Sequence, residues 1–321
     1  MSERNFTWTA GRAAATAATV LLATLPSIAG ATNWGAEYGY GDWLETVPVD
    51  GVAGGCPIES FDARTLWTAS GRGGTLDVWT YERKRKKGPF TDGPNLVGDP
   101  VSLPDADDFC PTPIGDRWLF FVSDRPGGCG GVDMYIVRLP KHGRPNYAEA
   151  KNLGCAKDGG PNTAGRELAP AFVRTEAGTF LYYSSDIDGS QDIYVSNQSM
   201  TGEFGVGQPV HELNGDAADQ QPNVRRDGLE IVFSSNRDGG GQDVFIATRT
   251  SVYEPFGDVR NLTEELDLPT VDGNETRASL SRDGYRLYYG SGGTIFVTER
   301  EQIILSCRAP RWWRFFSRWF R

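Results

Sequence analysis

The chain has 321 residues, 42 Asp and Glu against 32 Lys and Arg, and a formal net charge of −10. Its 39% hydrophobic and 23% charged residues fit a folded soluble protein, and 40 Gly, 19 Pro and 12% aromatics imply tight turns between short aromatic strands, which excludes a helical bundle. With only two His, His142 and His211, a zinc site built on several imidazoles is excluded, and the acidic balance argues against a nucleic-acid partner.

The charge is unevenly spread: residues 1–31 carry +1 and residues 308–321 carry +5, which leaves −16 on residues 32–307. At the front, a polar segment with Arg4 and Arg12 precedes an apolar run over 13–28 and the small residues Ala29-Gly30-Ala31. This is the layout of a secretory signal peptide cleaved after Ala31. The chain therefore divides into a signal peptide (1–31), a repeat domain (32–300) and a basic aromatic tail (301–321), with a secreted or periplasmic destination. Export permits disulfides. Cys56 and Cys110 each stand directly before Pro in matching contexts, so the expected pairs are Cys56–Cys110 and Cys129–Cys155, with Cys307 left over.

Five segments then repeat one plan: CPIESFDARTLWTASGR, CPTPIGDRWLFFVSDR, APAFVRTEAGTFLYYSSD, QPNVRRDGLEIVFSSNR and RASLSRDGYRLYYGSG. Their anchors, Pro57, Pro111, Pro170, Pro222 and Ala278, lie 54, 59, 52 and 56 residues apart. Each copy continues through a turn, usually Gly-rich, into a second β segment (LDVWTY, VDMYIV, QDIYVS, QDVFIA, GTIFVT), and four copies add an aromatic and a Leu that mark one more strand. Four-stranded units of this length in tandem predict an all-β chain forming a single five-bladed β-propeller. The fifth copy lacks its outer strand. A matching stretch at the front predicts that residues 42–49 supply it, closing the ring and removing open sheet edges.

The Ser-Asp-Arg turn, the Arg-Asp-Gly turn and the Asp-hydrophobic-aromatic strand resemble the TolB-type, WD-like propeller repeat over about residues 42–300. The resemblance implies an exported or envelope-associated protein, and it leaves binder and enzyme both open.

Three positions before the anchors stand Asp108, Glu167, Asp219 and Glu275, with Gly54 in that place in blade one. As a ring at the channel mouth they would bind a cation or cationic ligand, or supply a carboxylate pair for glycoside hydrolysis. Repetition also fits a structural device that ties each inner strand to its neighbour. Arg72, Arg125 and Arg237, and Asp77, Asp133, Asp192 and Asp243, recur in the same way and read as architecture. Asp186, Asp188 and Asp192 suggest a calcium loop, but Ser190 and Asn197 stand where an EF-hand needs further acids. No metal or cofactor is expected. No G-x-S-x-G or helix-borne metal signature is present, and His211 reads as an exposed loop residue. The basic run 83–87 reads as a solvated loop between two strands of blade one.

The end of the chain reads RAPRWWRFFSRWFR. On a helix its Arg side chains align along one face, and Trp312, Trp313, Arg314, Phe316, Trp319 and Phe320 make it a candidate for peripheral membrane contact. Docking onto the acidic propeller and disorder are the other readings. Together these features predict an exported, monomeric, non-catalytic scaffold for a protein or glycan ligand. The alternative is a secreted glycoside hydrolase or lyase using the channel-mouth carboxylates.

Overall fold

A computed structural model describes residues 37–140 and 147–305. The leader at 1–31, His142, Cys307 and the tail residues from Trp312 to Phe320 lie outside the described residues. Within them the chain is all-β apart from the short helix Leu262–Leu266 and two 3-10 turns. It forms five antiparallel sheets, the blades of a five-bladed propeller.

From channel to rim, blade one is Gly55–Glu59, Thr65–Ser70, Asp77–Glu82 and Asp92–Leu96. Blade two is Asp108–Ile114, Trp118–Ser123, Asp133–Arg138 and Lys151–Asn152. Blade three is Glu167–Thr175, Gly178–Ser185, Asp192–Asn197 and Gln208–Pro209. Blade four is Asp219–Val224, Glu230–Ser235, Asp243–Thr248 and Gly257–Asn261. Blade five takes Thr276–Leu280, Arg286–Ser291 and Thr294–Leu305 from the end of the chain, and Val47–Ala53 from its front.

The expected closure is present, with its outer strand shifted a few residues along the chain. Val47 lies opposite Val297 and Ala53 opposite Thr294. An additional strand, Glu37–Trp43, pairs with the far half of Thr294–Leu305. That partner carries the last strand past Arg300, where the repeat pattern ends.

Each middle strand is covered by a neighbouring blade on both faces, which is why it reads as a continuous apolar run rather than an alternation. In Trp118–Ser123, Leu119 and Phe121 pack with Ile58, Trp67 and Val78 of blade one. Phe120 and Val122 point the other way, to Leu181 and Tyr183 of blade three. Tyr182 meets Ile231 and Phe233 of blade four, and Val232 meets Leu287 and Tyr289 of blade five. Tyr288 closes the circle against Leu66 and Tyr81 of blade one. Five wedges between blades thus replace a single central core.

The blades are also tied by one repeated backbone bond. The N–H groups of Asp108, Glu167, Asp219 and Glu275 donate to Leu76 O, Val132 O, Gln191 O and Gln242 O, at 2.6–2.8 Å. In each case the acceptor precedes the third strand of the preceding blade. The ring-closing copy is Gly54 N–H to Gly293 O, at 2.9 Å.

One residue before each anchor, every inner strand carries a bulge with a positive φ: Cys56, Cys110, Ala169, Gln221 and Arg277, at 47–57°. The register of the inner hairpin shifts at the same place in every blade. Two of these equivalent residues are joined in the disulfide Cys56–Cys110, and Cys129–Cys155 forms the second bond.

Candidate functional site

Asp108, Glu167 and Asp219 open their inner strands and Glu275 directly precedes one; all four are buried. Asp108 accepts from Leu103 N–H at 2.8 Å and from the Arg125 guanidinium at 2.7 Å. Glu167 accepts from Thr163 N–H at 3.0 Å and from the hydroxyls of Thr163 and Ser185. Asp219 accepts from Gly215 N–H at 2.7 Å and from Arg237. Glu275 has the thinnest set: Thr263 donates from 3.5 Å, and Oε1 is buried without a partner among the described residues. Burial raises the pKa of both Glu167 and Glu275. Each carboxylate is held within its own blade and the loop leading into it, so the side chain does not tie the inner strand to its neighbour; the backbone N–H of the same residue does.

The repeated arginines complete this device. Arg125 also donates to Pro100 O and Val101 O and lies over Phe121 and Tyr135. Arg237 donates to Leu213 O and lies over Phe233 and Phe245. In blade one Gly54 offers no carboxylate, and Arg72 grips Ala53 O at 3.1 Å instead. Asp77 and Asp192 have pKa values raised by burial and then by the neighbouring Asp108 and Asp219. Asp133 and Asp243 accept from Asn152 and Asn261, so the third-strand acids hold the outer turns.

The feature that the repeat comparison misses lies at the other end of the inner strands. A cavity of about 330 Å³ opens there, lined by residues of all five blades. Four positions after the anchors stand Phe61, Gly115, Arg174, Arg226 and Arg282, and all five line it. Its one carboxylate, Glu59, is already engaged: Arg286 donates at 2.7 Å, Tyr288 OH at 2.8 Å, and Arg83 forms a third contact. Arg83 is therefore buried, unlike the exposed residues 84–87 of the same basic run, and this corrects the reading of the whole run as a solvated loop.

Beneath the cavity lies Arg277, fully buried. Its Nη2 donates at 2.9 Å to the hydroxyl of Thr112, which lines the cavity. Blades five and two are not neighbours, so this side chain spans the channel. Burial lowers its pKa to about 9.

Other sequence candidates do not converge. Asp186 accepts from Arg166 N–H and Asp188 from the Tyr194 hydroxyl. Among the described residues no three His, Cys, Asp or Glu side chains gather where they could hold a metal ion. His211 is exposed.

No family model matches the chain, and comparison with curated proteins finds no match. Solved structures do match. The alpha-L-arabinofuranosidase from Lactobacillus brevis superposes with a TM-score of 0.54 at 12% identity, over 79% of this chain and 92% of that one. The catalytic domain of the GH62 alpha-L-arabinofuranosidase from Coprinopsis cinerea gives 0.52 at 12% identity, over 81% and 97%. TolB from Acinetobacter baumannii gives 0.40 at 18% identity, over 80% of this chain and 55% of that one. At these identities the first two matches establish the propeller fold and nothing finer. The third carries no argument.

Proposed function

We propose that the protein is an exported, non-catalytic binding scaffold with a TolB-type repeat, which receives a protein or glycan ligand at the cavity end of its channel. One observation carries this reading: carboxylates suited to chemistry are committed elsewhere, while the cavity offers guanidinium and aromatic groups. Glycoside hydrolysis by the common route needs two carboxylates flanking the scissile bond. Asp108, Glu167, Asp219 and Glu275 lie at the opposite ends of the inner strands, and Glu59 is neutralised by Arg83 and Arg286. Two disulfides are in keeping with an oxidising compartment.

A glycan array combined with capture from envelope extract tests the reading, with Arg226→Gln/Arg282→Gln run in parallel. Retention by the wild type that the variant loses is expected. Hydrolysis of any polysaccharide in a substrate screen overturns it in favour of a carbohydrate-active enzyme. The tail, through Trp312, Trp313, Arg314, Phe316, Trp319 and Phe320, belongs to the same proposal as a membrane contact. Flotation with anionic vesicles should fall when residues 308–321 are removed, and equal flotation rejects the contact.

A further inference from the structure

From Arg174, Arg226 and Arg282 around the cavity, and Arg277 spanning the channel beneath it, we infer that this mouth is an oxyanion site, taking a carboxylate or phosphate group of the ligand. The inference rests on the cavity being the ligand site and adds the chemistry of what it binds.

The chain carries −10 overall, with −16 on residues 32–307, so cations here have no shortage of acidic partners. Arg83, Arg125, Arg225, Arg237, Arg286 and Arg300 are all paired with buried carboxylates. Among the described residues, Arg174, Arg226, Arg277 and Arg282 form no salt bridge. Among the described residues Arg64, Arg72, Arg117, Arg138, Arg166 and Arg249 also form none, so what sets Arg174, Arg226 and Arg282 apart is that they gather at one channel mouth. Arg226 and Arg282 are also close enough to oppose each other: the Arg282 pKa is lowered by burial and then by the charge of Arg226. The Arg282 Nη1 is buried without a partner among the described residues. Arg282 thus holds an unmet donor beside a second guanidinium, an arrangement that an anion would satisfy.

Arg277 is the independent second observation. It has no solvent exposure, and its Nε and Nη1 have no hydrogen-bond partner among the described residues. Only Nη2 is used, on Thr112, whose own hydroxyl donates to Pro170 O at 2.6 Å. A desolvated guanidinium with two of its three nitrogens unbonded is strongly unfavourable. Planar N–H donors in this arrangement match the oxygens of a carboxylate or phosphate. Asn223, also on the cavity wall, spends its Oδ1 on Leu280 N–H and so keeps its amide donors for a ligand. Glu59 is the one carboxylate of the cavity lining; Arg286 and Arg83 neutralise it and the Tyr288 hydroxyl donates to it.

Calorimetric titration at fixed ionic strength provides the test, with inorganic phosphate, glucuronate and glucose as probes. Saturable binding of phosphate or glucuronate is expected for the wild type. It should weaken at least about tenfold, or ~1.4 kcal/mol, in Arg226→Gln/Arg282→Gln and stay unchanged in Arg260→Gln, which alters an exposed arginine of blade four. Far-UV dichroism and thermal melting confirm that the variants are folded. Preference for glucuronate assigns a carboxylate-bearing sugar, and preference for phosphate assigns a phosphate group. Oxyanion affinity equal in wild type and double variant, or no saturable oxyanion binding, overturns the inference. If the double variant loses a neutral glycan or protein partner instead, the oxyanion chemistry fails and the binding mouth stands. A partner bound equally by both proteins overturns the mouth as well.

Discussion

At Asp108 a carboxylate with no solvent exposure receives a guanidinium hydrogen bond at 2.7 Å and a backbone N–H at 2.8 Å. Asp108→Ala leaves Arg125 half-buried in its channel-side niche without its counter-charge, and urea unfolding should record a loss of about 3 kcal/mol. Glu167 makes a different prediction, because burial raises its pKa. Its ordinary value, that of the unfolded chain, is 4.5. Above that pH the unfolded chain has released a proton that the folded chain still holds, so stability from this group falls as pH rises through the folded pKa. Glu167→Gln should therefore lose less stability than the wild type between acid and neutral pH; parallel urea-midpoint profiles would contradict the burial. The recurrence of these acids was legible in the sequence, but their partners were not. Leu103 N–H, Thr163 and Gly215 N–H lie in loops whose path no repeat motif encodes.

At the scale of elements, the latch between blades five and one depends on Gly54. Its φ is +135°, and an added Cβ would lie 2.6 Å from Ala69 O. Gly54→Ala should cost about 1–3 kcal/mol from backbone strain alone. Gly55→Ala, where an added Cβ meets nothing within 4 Å, should stay within about 0.5 kcal/mol in the same thermal-melting series. The strands themselves were legible, since runs such as LFFV and FLYY announce sheets buried on both faces. The bulge was not. Its positive-φ position holds Cys56, Cys110, Ala169, Gln221 and Arg277, none of them the glycine that usually betrays such a backbone. The closing strand lies a few residues later than the resemblance predicts, because pairing and not resemblance sets its register.

For the whole molecule, the ring converts a linear repeat into two unlike channel ends. Acids committed to their own blades mark the starts of the inner strands, and arginines without carboxylate partners mark the cavity at their far ends. The sequence contained that second signal as Arg174, Arg226 and Arg282, four residues after three successive anchors. Only folding brings Arg277 from blade five to Thr112 of blade two and places it behind them. The most direct test is a crystal soaked in tungstate, an oxyanion located by its anomalous scattering. The predicted result is a bound anion within hydrogen-bond reach of Arg226, Arg282 or Arg277. Anion peaks confined to other surfaces, such as exposed residues 84–87, would contradict it.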